Sequence, residues 1–167
     1  LSSLWSVERS YTGENGIPDL TRYRSTRLVN VGFDAESSGN DTIAFRGDRS
    51  CRLAPGNEFS PGWEQEWKRV TLCGHAWFEV SCMVQRPTDG SAPALTLVTT
   101  FDHDGHSYAY KAQDAKLSDV APGEWQLVRL WYLSPEVRRP EDKVKVYCWL
   151  RDTLPVHVDD LAVTVHE

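Results

Sequence analysis

The sequence predicts an all-β fold, an antiparallel β-sandwich of jelly-roll type, and three observations carry the prediction. Short segments rich in β-branched and aromatic residues alternate with period two and are separated by Gly, Pro and Asp turn signals. Seven Trp, six Tyr and five Phe stand beside a single Met, a composition that suits a sandwich rather than helical stripes. No stretch offers a convincing amphipathic helix, and Glu64 to Val70 is the nearest candidate.

Residues 1–27 show no sustained period and read as an arm or early edge segment, with a short strand around Leu4 to Val7. The domain is placed at residues 28–167, and its first firm strand is Leu28 to Asp34. Thr42 to Phe45 and Ser50 to Leu53 read as short strands around a Gly47-Asp48 turn, and Pro55 to Trp67 reads as loop. Val70 to Leu72 is a short strand. Ala76 to Val84 alternates cleanly, with Ala76, Phe78, Val80, Cys82 and Val84 on the core face. Ala94 to Phe101 and Ser107 to Lys111 flank Asp104-Gly105, a two-residue hairpin signal. Trp125 to Leu133, Val144 to Leu150 and Val156 to Val165 complete a set of roughly eight to ten strands, with Trp125 assigned to the core.

At 167 residues the chain is one domain that buries about two thirds of its unfolded surface. A formal charge of -6 without a basic stripe argues against nucleic acid, and no apolar run approaches a membrane span. No signal peptide is visible, and a chain opening on Leu1 reads as a processed product or a piece of something longer. Cys51, Cys73, Cys82 and Cys148 lack Cys-x-x-Cys spacing. Cys82 and Cys148 fall at core parity, as small buried hydrophobes or as partners in a disulfide between sheets.

The last strand carries an anomaly. Its apolar positions are Val156 and Val158 before Asp159-Asp160, and Leu161, Val163 and Val165 after, so the parity flips at the acidic pair. A β-bulge produces such a flip. Two adjacent strand carboxylates cost free energy unless a cation, a donor or water compensates them, so a structural metal and a solvated strand end both stand as readings.

Five short pieces in order, Asn30-x-Gly32-Phe33-Asp34, Gly47-x-x-Ser50 with Leu53, Trp125-Gln126-x-Val128, Val144-x-Val146-Tyr147-x-Trp149 and Val158-Asp159-Asp160-Leu161, resemble the carbohydrate-binding-module and galactose-binding-like jelly rolls of secreted bacterial proteins. The resemblance spans Leu28 to Glu167. It implies a structural calcium site at the sandwich edge, to which Asp34, Asp159 and Asp160 correspond, with Asp34 standing where Glu is more usual. It also implies a glycan or polysaccharide partner, an extracellular or cell-surface setting, and attachment to other domains of a larger parent chain.

Sugar binding needs flat apolar rings and polar groups for hydroxyls. The non-core parity of three strands offers Trp77 with Glu79, Arg129 with Trp131, and Tyr147 with Trp149, bordered by Tyr108 and Tyr110. If those strands share a sheet, they form one aromatic and charged platform. Trp63 and Trp67 are placed at an end loop. The run Asp102-His103-Asp104-Gly105-His106 invites a metal reading, although the hairpin explains its Asp104-Gly105 pair without any metal. No strand carries the spaced carboxylates of a glycosidase, and no nucleophile elbow or phosphate loop is present, so the expectation is a non-catalytic accessory module. The alternative is a protein-interaction or spacer jelly roll without a small ligand.

Overall fold

The computed structural model describes residues 23–35 and 42–167. Among them nine strands form two antiparallel sheets: β1 (Ser25–Val31), β2 (Cys51–Leu53), β3 (Trp63–Glu66), β4 (Trp77–Gln85), β5 (Leu95–His103), β6 (His106–Asp114), β7 (Trp125–Leu133), β8 (Lys143–Leu150) and β9 (Val156–His166). A five-stranded sheet runs β1-β9-β4-β7 with β2 also on β9, and a four-stranded sheet runs β3-β8-β5-β6. From β6 onward each strand crosses to the opposite sheet, the connectivity of a jelly roll.

The strands form where side chains alternate. On β8, Val144, Val146, Cys148 and Leu150 are buried while Lys143, Lys145, Tyr147 and Trp149 point outward. On β4, Phe78, Val80, Cys82 and Val84 meet them from the other sheet. An aromatic cluster fills one end of the core, where Phe101 lies edge-on to Phe78, Trp67 and Tyr132 at 5.8, 5.9 and 5.6 Å between centroids. Cys51, Cys82 and Cys148 are free thiols in the core, where burial pushes the Cys51 thiol up to about 12 and makes it inert.

β9 organises the five-stranded sheet. β1 covers its second half, from Leu161 to His166, and β2 covers Val156 to Val158 on the same side. The gap between those two partners falls at Asp159-Asp160. On the other side β4 advances two residues, Ser81 to Met83, while β9 advances three, Ala162 to Asp159. This is the bulge that the parity flip predicts, and Asp160 takes the left-handed conformation with φ 52°. The β5–β6 hairpin also forms as expected, with Asp104 and Gly105 both at positive φ, the primed turn that matches strand twist.

Several local expectations are corrected. Thr42 to Phe45 forms no strand, because the backbone at Phe45 is turned toward a carboxylate instead of a sheet edge. Val70 to Leu72 is not a strand either: Val70 closes a one-turn helix, α1 (Trp67–Val70). The expected loop 55–67 contains β3, and Trp67 enters the core instead of capping a loop. Trp125 is partly exposed, its ring tilted on Phe45 at 5.7 Å, since it shares the outward parity of β7. β1 begins at Ser25, inside the expected arm, and the expected strand at Leu4 to Val7 lies outside the described residues. No helix among the described residues is long and apolar enough to cross a membrane.

Candidate functional site

The structure divides the expected aromatic platform between two sheets. β4 and β7 are neighbours in the five-stranded sheet, so Trp77, Glu79, Arg129 and Trp131 share its outer face. β8 pairs with β3 and β5, which puts Tyr147 and Trp149 on the outer face of the opposite sheet. Alternation fixes which face a residue occupies but not which strand lies beside it, so the single platform does not exist. Trp77 is only 3% exposed and offers no surface. Tyr108 is engaged at the hairpin end, donating to Asp142 at 2.9 Å with the Arg139 guanidinium 5.8 Å above its ring. Burial and that carboxylate raise its phenol above the ordinary value.

On the five-stranded face the polar groups already serve each other. His166 Nδ1 lies 2.6 Å from Ser25 Oγ, and its Nε2 lies 3.1 Å from Glu79. Arg129 approaches the other Glu79 oxygen at 3.6 Å, and the Trp131 ring lies 5.7 Å from the His166 ring at a tilt of 33°. Glu79 thus has two partners, while Arg129 meets it only through Nε and stays about half exposed.

The four-stranded face holds a groove. Outward residues of β8 meet Glu64 on β3, directly across from Lys145, and Asp102 on β5, directly across from Lys143. Phe59, from the loop before β3, bridges to Trp149 and stacks on it at 5.9 Å and 11°, with its edge relation to Tyr147 also at 5.9 Å. That loop lies against β8 because position 62 is glycine: a Cβ there would sit 2.2 Å from the Val146 carbonyl. Phe59, Trp63, Glu64, Lys145 and Tyr147 line an open groove of about 510 Å³. Trp149 lies beside the groove rather than in it. Phe59 reaches it from the β3 side, and Arg151, anchored to Thr96 on β5, lies 5.7 Å above its ring. Phe59, 55% exposed, and Tyr147 are the outward rings of the groove, while Trp63 packs partly against the core. Sequence reasoning missed Phe59, a lone aromatic in a loop, although Ser60-Pro61-Gly62 marks the tight turn that carries it.

Glu64, Asp102 and Lys145 favour their ionised forms. Hydrogen bonds from Lys143, then Lys145, lower Glu64. Burial alone raises Asp102, but bonds from Ser107 and Lys145 outweigh it and leave it lowered, while Asp102 and Glu64 raise Lys145. Burial, then the Asp102 charge, raises the Tyr147 phenol. The lowered acids contribute stability that is lost only as pH falls below their ordinary range, about 4, and Lys145 contributes until pH climbs past about 10. Ligand affinity at this groove is therefore expected to stay within about twofold between pH 5 and 9 in binding titrations; an inflection near a histidine value would place the ligand elsewhere.

The expected metal residues flank one loop. Asp34 Oδ1 accepts the Asp48 and Arg49 amides at 2.7 and 3.0 Å. Gly47, at φ 71°, passes so close that a Cβ would sit 2.3 Å from the other Asp34 oxygen. From the gap in β9, fully buried Asp159 accepts the Phe45 and Arg46 amides at 2.9 and 3.1 Å and that of Asp160 at 2.7 Å. Burial raises its carboxyl despite these donors. Asp160 faces Arg46 at 3.9 Å. Calcium takes about six to eight oxygens, and among the described residues no three Asp, Glu, His or Cys side chains gather to hold a metal. These carboxylates clamp the loop through N–H donors and do not by themselves complete a calcium cage.

Two antiparallel sheets in jelly-roll connection, with an aromatic groove on one outer face, define a jelly-roll β-sandwich. Solved structures place the fold more closely. It is similar to the N-terminal CBM22-1–CBM22-2 tandem of Paenibacillus barcinonensis Xyn10C, at TM-score 0.60 and 13% identity over 89% of this chain and 51% of that one. The single CBM22-2 xylan-binding domain of the same protein gives 0.57 and 13% over 82% of this chain and 98% of that one. The CBM22-1–GH10 modules of Clostridium thermocellum Xyn10B, complexed with xylohexaose, give 0.57 and 14% over 86% of this chain, which spans only 29% of theirs. No family model and no curated protein matches the sequence.

Proposed function

We propose that the chain is a non-catalytic glycan-binding module whose ligand lies on the outer face of the four-stranded sheet, against Phe59 and Tyr147. The groove carries this reading, because it sets two aromatic rings beside a carboxylate and an ammonium, Glu64 and Lys145. Pyranoses present apolar C–H faces for the rings and hydroxyls for the charged pair. The similar xylan-binding domains support the ligand class, and the joining of one such module to a GH10 module supports an accessory role in a larger, extracellular parent. The test is a titration of intrinsic Trp fluorescence with xylo-, cello- and manno-oligosaccharides. A saturable change is expected for at least one of them, and silence across the panel rejects the reading.

Calcium at the loop from Phe45 to Arg49 is a separate part of the proposal. Its support is the buried Asp159 carboxylate, facing a loop that Asp34 also holds. Addition of calcium is expected to raise the melting temperature, chelator to lower it, and Asp159→Asn to abolish both responses. An unchanged wild-type curve assigns the loop to its N–H donors alone.

A second reading, protein docking, is favoured by another surface. Phe45, 42% exposed, rests on Trp125, and Leu127, 50% exposed, follows on the outer face of β7. A protein partner there buries an apolar patch that a sugar does not require.

A further inference from the structure

Resting on the glycan reading, we infer that the four-stranded face is built for an uncharged glycan, and that Asp114 sets this specificity by occupying the Arg151 guanidinium. Three cations follow one another along the outward side of β8 and its continuation: Lys143, Lys145 and Arg151. Each already has an anion. Lys143 lies 2.8 Å from Glu64, and Lys145 lies 3.2 Å from Glu64 and 2.9 Å from Asp102. Arg151 Nη2 lies 2.9 Å from Asp114. Three carboxylates thus neutralise three cations, and among the described residues the outward side of β8 presents no spare positive charge to a uronate or sulfate.

Arg151 lies beside Trp149, the ring on which Phe59 stacks. Its Nε donates to Thr96 Oγ1 at 2.8 Å, Thr96 in turn donates to Asp114 at 2.6 Å, and the guanidinium lies over Trp149. A guanidinium fork is the protein group best shaped to take a carboxylate or sulfate. With Asp114 on Nη2 and Thr96 on Nε, one side of that fork is filled, and an anionic sugar that approaches it meets the Asp114 charge. The two other anions are less easily removed without wider damage. Asp102 is buried beneath Lys145 and Ser107, and Glu64 serves two lysines at once. Asp114 is exposed at the end of edge strand β6, so its charge can be removed without disturbing the core.

The test is affinity electrophoresis against pairs of polymers that share a backbone and differ in charge: hydroxyethylcellulose with carboxymethylcellulose, and methyl-esterified with de-esterified polygalacturonate, together with uncharged xylan. Wild type is expected to favour uncharged polymers by at least about tenfold, with little dependence on salt. Asp114→Asn keeps an acceptor for Thr96 and is expected to gain about fivefold toward a charged polymer, a gain lost at high salt and in the double variant with Arg151→Gln. Wild-type preference for a charged polymer, or an Asp114→Asn variant whose selectivity is unchanged, overturns the inference while leaving glycan binding intact. Failure to bind any uncharged polymer removes the glycan reading itself.

Discussion

Phe101→Ala is expected to cost about 4 kcal/mol of folding stability, the range for a buried aromatic truncated to alanine. For a domain of this size that lowers the melting temperature by on the order of 10 °C. Phe101 is 1% exposed and touches Phe78 and Tyr132 on the five-stranded sheet and Trp67 on α1 at the same time. Its removal leaves a cavity bordered by three large rings, each held by its own strand or turn and therefore slow to collapse inward. Phe101→Leu keeps most of the volume and is expected to lose less than half as much. Urea unfolding of both variants checks the claim. A loss below about 1 kcal/mol for Phe101→Ala means that the cluster repacks and does not tie the sheets together.

Phe59→Ala is expected to weaken glycan binding by about 2 kcal/mol, close to thirtyfold, as loss of an aromatic anchor does. Its effect on stability is small because more than half of the ring is already in water. Tyr147→Ala is expected to act in the same direction. Trp131→Ala, on the opposite sheet, leaves affinity unchanged. Calorimetric titration of the three variants with the best oligosaccharide of the panel decides between the faces. Loss of binding in Trp131→Ala with Phe59→Ala unaffected moves the site to the five-stranded sheet.

What the sequence made legible was local alternation. β4, β7, β8 and β9 lie within one or two residues of their expected bounds, because apolar residues recur at every second position along most of each strand. The bulge at Asp159-Asp160 was legible for the same reason, as a break in an otherwise regular phase. β3 was not, since an edge strand reading Trp-Glu-Gln-Glu is stabilised by backbone pairing and by Glu64 reaching Lys143 and Lys145, and no apolar periodicity marks it. Thr42 to Phe45 has strand-forming residues, yet the Asp159 carboxylate, more than a hundred residues away, takes the amide that a ladder needs. The site divided along the same line. Tyr147 was legible from parity on its own strand, but its company was not. That depended on which strands pair, and on a loop phenylalanine whose importance comes from the glycine that lets it lie against β8.

The pairing of β1 with β9 brings Arg24 and Glu167 side by side, each backbone amide bonded to the other's carbonyl at 2.8 and 3.0 Å, with an ion pair at 2.7 Å. Tension applied between these two residues enters the ladder at its end, so its rungs yield one after another instead of sharing the load. Such a seam peels at low force. The strand that peels belongs to the five-stranded sheet, whereas Phe59, Tyr147 and their charged neighbours are carried by β3, β8 and β5 and the loop before them. The groove and this seam are thus borne by different sheets, so tension between Arg24 and Glu167 loads the five-stranded sheet before it reaches β3 and β8.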